Sequence, residues 1–222
     1  MGAAAAILVL VTGAVIVILV QSARVARERD RATMEAAKSQ AVSEFLQEML
    51  SSANPFGTGN RSVTVVDALA AAERRVETSF GSQPEVAATV RRTLGQTYYG
   101  IGEYERAEKI LRDAVSRSRT AGRQADLAAD LNELAAVMRA SGRAADSVAI
   151  AREAVDVGRA AGVAPLVLAD FLHTLAQCLR QSGDSDAALP LSTEALALRT
   201  GAAGPESLAA AMSLRQLGML AS

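Results

Sequence analysis

The chain has 222 residues, a formal net charge of −1, 3% aromatic residues, no Trp, and half its residues apolar. With so little aromatic material a strand-rich fold is excluded, and the near-neutral charge argues against a nucleic-acid-binding surface. A single cysteine, Cys178, excludes an internal disulfide, and with a single histidine, His173, no metal cluster or cofactor site is expected.

Residues 1–22 form the first segment. From Ala3 to Val20 every residue is apolar or small except Thr12, which gives about 27 Å of helix, enough to cross a bilayer. A transmembrane helix over residues 3–20 is therefore expected, with a cleaved signal peptide as the rival reading. The run exceeds a usual signal core, and no Lys or Arg precedes it. Arg24, Arg27, Arg29 and Arg31 come immediately after it. By the positive-inside rule they hold the remainder of the chain in the cytoplasm if the chain is complete.

Residues 23–53 lack Gly and contain no Pro, and read as a helical stalk. Ala41, Val42, Phe45, Leu46, Met49 and Leu50 recur at helical spacing and make an apolar stripe. Asn54-Pro55-Phe56-Gly57 then breaks the helix, so residues 54–63 are a linker. Residues 64–84 read as an entry helix.

Over residues 85–222 one spacing recurs. Leu94, Leu134, Leu175 and Leu217, each followed by Gly or Ala, stand 40, 41 and 42 residues apart. Gly102, Gly142 and Gly183 lie eight residues beyond the first three, and Ala114, Ala154 and Ala195 twenty beyond. Both segments flanking each glycine carry apolar residues at helical spacing, so each unit is a helical hairpin that buries its face only against its neighbours. About three and a half units are expected, the last incomplete. Met212, Leu214, Leu217, Met219 and Leu220 form an apolar end suited to further sequence or to self-association.

The first unit, through Leu94, Gly95, Tyr98, Ala107 and Leu111, resembles the tetratricopeptide repeat (TPR) family. The resemblance implies an all-α solenoid of non-enzymatic hairpins binding a protein or peptide along its concave face. The family repeat has about 34 residues. The extra residues here are expected in segments such as Ala121-Gly122-Arg123 and Gly201 to Pro205. Residues resembling the groove-lining positions are Arg92, Gln96, Tyr99, Asn132, Arg139, Asp170, His173, Gln177 and Arg180. Arginines at 92, 139 and 180 suit an acidic or extended peptide, and Arg139 and Arg180 are expected to face solvent.

The order of span, Ala26 to Ala32, Ala41 to Leu46, Asn54-Pro55, Gln83 to Val86 and repeats resembles the C-terminal half of bacterial serine/threonine protein kinases that carry repeats after their membrane span. That resemblance implies a catalytic domain upstream and repeats on the opposite side of the membrane. The chain itself has no Gly-rich phosphate loop, His-Arg-Asp or Asp-Phe-Gly, so no kinase residue carries over. His173 and Cys178, five apart on one helix, do not share a face as an i, i+4 pair would, and Cys178 reads as packing.

Overall fold

The computed structural model describes residues 64–220 and scattered positions between residues 21 and 47. The expected membrane span, the linker and residues Val42, Leu46, Met49 and Leu50 of the apolar stripe lie outside the described residues. Among the described residues no helix is long and apolar enough to cross a membrane. The chain divides into two compact units, Met1–Ser52 and Ala53–Ser222. In the first, the described positions are helical and Phe45 is buried. Gln40 and Glu44 share a hydrogen bond one turn apart.

The second unit is a run of antiparallel helices: α1 (Val65–Phe80), α2 (Pro84–Gly100), α3 (Tyr104–Thr120), α4 (Gln124–Ala140), α5 (Ala144–Ala161), α6 (Pro165–Ser182), α7 (Ser185–Ala203) and α8 (Leu208–Leu220). No strand occurs among the described residues. Thr64 starts α1 through a capping box: its hydroxyl accepts from Asp67 N at 3.1 Å, and its own N–H donates to the Asp67 carboxylate at 3.1 Å.

The two turns around α3, one within a hairpin and one between hairpins, use one device. Gly102 (φ 83°) and Gly122 (φ 67°) both adopt the left-handed conformation that a side chain resists. The residue after each glycine donates back to the end of the preceding helix, from Glu103 N to Tyr98 O at 2.9 Å and from Arg123 N to Ser118 O at 3.0 Å. Only residues 101–103 and 121–123 separate the helices around α3. The expectation that the extra length lies in the loops is therefore corrected: it lies in the helices, which run to 17 residues in α2, α3 and α4 and 19 in α7.

The layers follow the repeat spacing. Leu94, Leu134 and Leu175 are buried, each contributing about 2 kcal/mol through removal from water. Ala107, Ala154 and Ala188 are fully covered and let the second helix of each hairpin approach closely. Gly95 does this for α2: a Cβ placed there would stand 2.7 Å from Leu111 Cγ.

Where one hairpin meets the next, equivalent positions carry three different partnerships. Ser118 on α3 donates its hydroxyl to the Asp130 carboxylate on α4 at 2.7 Å. Gly158 on α5 makes room for the Phe171 ring on α6. Arg199 on α7, almost fully buried, donates to Ser213 Oγ on α8 and to Asp170 Oδ1 on α6, both at 2.7 Å. A hydroxyl with a carboxylate, small with large, and a guanidinium with a hydroxyl and a carboxylate give each junction its own match.

Candidate functional site: the inner helix face

The first helices of successive hairpins touch one another directly, α2 against α4 and α4 against α6. They form an inner face, and all nine predicted groove residues stand on these three helices. The face divides into two electrostatically different halves.

In the N-terminal half, Arg92 is already engaged. Its Nε donates to Asp130 Oδ1 at 2.7 Å and its Nη2 to Asp126 Oδ1 at 3.2 Å. Asp130 is fully buried; burial pushes its carboxyl up, against the pull of Arg92 and the Ser118 hydroxyl. Glu133, close by on the same helix, is likewise held above the ordinary carboxyl range by burial, with Gln96 and Arg92 opposing. Gln96 is exposed. Tyr99 is half-buried, its ring 5.9 Å from that of Tyr104.

In the C-terminal half two cations of the face lack an acidic partner among the described residues. Arg139 and Arg180 occupy equivalent positions on α4 and α6, and neither has a carboxylate within ion-pair distance among the described residues. Arg139 Nη1 donates to Gln181 Oε1 at 3.2 Å, and Gln181 Nε2 returns a bond to the Arg139 carbonyl at 3.3 Å. Both arginines are half-buried, which corrects the expectation that they face solvent freely. The Nε atoms of both and the Asn132 Oδ1 are buried without a hydrogen-bond partner.

His173 and Gln177 sit one turn apart on α6 with His173 Nε2 and Gln177 Nε2 at 2.9 Å. The His173 pKa is lowered to about 4, first by burial and then by Arg199, with Asp170 opposing, so the ring is neutral at neutral pH. The Asp170 side chain is largely exposed and is held by Arg199. Cys178 is fully buried, and burial pushes its thiol up, the opposite of what a nucleophile needs.

Gln181, Glu133, Asp130 and Arg199 were not anticipated from sequence. Asp130 had a readable signal: its equivalents are Val90, Phe171 and Ser213, so it is a charged residue at a covered repeat position.

Successive antiparallel helical hairpins with directly packed inner helices define a TPR-like solenoid. Residues 87–121, which span most of α2 and all of α3, match the family model described as Tetratricopeptide repeat. No curated protein sequence matches the chain. Among solved structures, one similar fold is a putative kinesin light chain from Podosopora anserina with nearly identical TPR-like repeats. Its TM-score is 0.56 at 15% identity, covering 82% of this chain and 84% of that one. BtubC (BKLC) from P. vanneervenii is similar at TM-score 0.58 and 18% identity, covering 83% and 80%. These likenesses establish the fold.

Proposed function

We propose that the chain is a non-enzymatic interaction module that holds an extended, acidic segment of a protein partner along the C-terminal half of its inner face. One observation carries this reading: Arg139 and Arg180, one repeat apart, are half-buried cations without an acidic partner among the described residues, whereas Arg92 is engaged by Asp126 and Asp130. A desolvated guanidinium without a carboxylate binds one strongly, through charge-assisted paired hydrogen bonds.

In this reading residues 3–20 tether the module to a membrane, supported by a run that is apolar or small except at Thr12. Of the apolar end, Leu217 and Leu220 are half-buried, while Met212 and Leu214, with the exposed Leu208, offer a surface for self-association. The alternative is that the chain is the non-catalytic part of a membrane serine/threonine kinase, supported by the order of its sequence blocks; a kinase reading frame contiguous with Met1 decides for it. The groove reading is tested by comparing partner capture by the full chain with that by its Arg139→Glu/Arg180→Glu variant. Loss of capture by a variant that circular dichroism shows to be folded is expected.

A further inference from the structure

A second charged site lies away from the predicted groove residues, none of which lines it. The α1–α2 turn and the α3–α4 turn border a pocket of about 330 Å³. Phe80, Pro84 and Ala87 give it an apolar wall, and Ser116 and Thr120 stand on another side. Its charged lining is Arg91, Arg117 and Arg123 with one carboxylate, Glu77.

The arrangement of these four side chains is specific. A single oxygen, Glu77 Oε2, accepts from Arg91 Nη2 at 2.7 Å and from Arg117 Nη1 at 3.0 Å. Behind them Asp113 Oδ2 lies 3.2 Å from Arg91 Nε and 2.9 Å from Arg117 Nε, which fixes both guanidinium groups. Arg123 approaches Asp126 only at 3.7 Å, and its Nε and Nη1 are buried without a hydrogen-bond partner. Arg91 is buried, whereas the Glu77 side chain is 61% exposed. Arg91, a buried cation, therefore meets an acid that is free to leave: water takes up the Glu77 carboxylate at little cost, while Arg91 stays in place and the more exposed Arg117 is tied to Asp113.

We propose that this pocket is an oxyanion-binding site whose resident occupant is Glu77, and that a phosphate or carboxylate group on a ligand displaces it. The incoming group accepts from Arg91 and Arg117 where Glu77 Oε2 now does, and the Arg123 charge in the pocket lining adds to the attraction. The carbon body of the ligand rests on Phe80 and Pro84. Glu77 acts as a built-in competitor that sets the affinity. This site stands independently of the inner-face reading.

The test is isothermal titration of the full chain with inorganic phosphate and, separately, with succinate. Saturable binding of at least one probe is expected. Removing the competitor in Glu77→Gln tightens it by about threefold or more, and Arg123→Ala weakens it by about fivefold or more. Arg123→Lys keeps the charge and gives a smaller loss than Arg123→Ala. Tighter phosphate marks a phosphate-bearing ligand, and tighter succinate a carboxylate-bearing one. Circular dichroism melts establish that each variant folds, and a variant that fails to fold leaves the others to carry the comparison. No saturable binding of either probe to the wild-type chain, or equal binding by folded Glu77→Gln and Arg123→Ala, overturns the proposal.

Discussion

Gly158 faces Phe171 so closely that a Cβ on the glycine would stand 2.9 Å from two carbons of the ring. The contact joins α5 to α6 and is the step at which one hairpin hands its face to the next. In an open helix interior, Gly to Ala gains up to about 1 kcal/mol from lower backbone entropy. At Gly158 the methyl group must push the ring out of a packed layer, which costs about 1–3 kcal/mol.

Gly158→Ala is therefore expected to destabilise the fold, and Gly201→Ala to stabilise it slightly. Gly201 lies within α7 and a Cβ there meets nothing within 4 Å. Chemical denaturation of both variants checks the sign of each change. Equal effects would show that the Phe171 contact is not restrictive.

The Arg92–Asp130 pair makes a second prediction. Asp130→Val leaves the Arg92 guanidinium half-buried with Asp126 alone and is expected to cost about 3 kcal/mol. Val stands at the equivalent position in the preceding unit, Val90, and is buried there. Adding Arg92→Gln is expected to restore most of the loss, because the uncompensated charge is then gone. A double-mutant cycle by denaturation measures the coupling, and strictly additive losses would rule the pair out as a unit.

His173 predicts a pH dependence. Its folded pKa of about 4 lies below the ordinary 6.5, so the folded state prefers the neutral ring. The stability this supplies is full above pH 6.5 and is lost as pH falls toward 4. By pH 5 the loss is at most about 2 kcal/mol, reduced further by solvent screening at a half-buried ring. Melting curves at pH 7 and pH 5 should converge more closely for His173→Gln than for the wild-type chain. An identical pH shift in both would place the titration elsewhere.

The solenoid was legible in the sequence because its determinants are periodic. Leu94, Leu134 and Leu175 repeat with Gly102, Gly142 and Gly183, and both ladders mark real layers and turns. Helix lengths were not legible, since the caps preceding α4 and α5 are Arg123 and Arg143, which make no side-chain capping bond. Without Ser, Thr or Asp at those positions nothing marks the starts, and the added residues looked like loop. The inner face was legible as a set of positions, because it derives from repeat register. Which of its arginines are engaged was not: Arg92 and Arg139 look alike in sequence, and only the fold brings Asp126 and Asp130, more than thirty residues away, to one of them.

The most direct test of the central claim is to pan a displayed peptide library on the full chain and titrate the selected peptides against wild type and against Arg139→Glu/Arg180→Glu. The account predicts sequences enriched in Asp and Glu that bind the double variant about tenfold or more weakly, while the variant stays folded by circular dichroism. Selected peptides without acidic residues, or ones that bind the folded double variant as tightly as wild type, would contradict it.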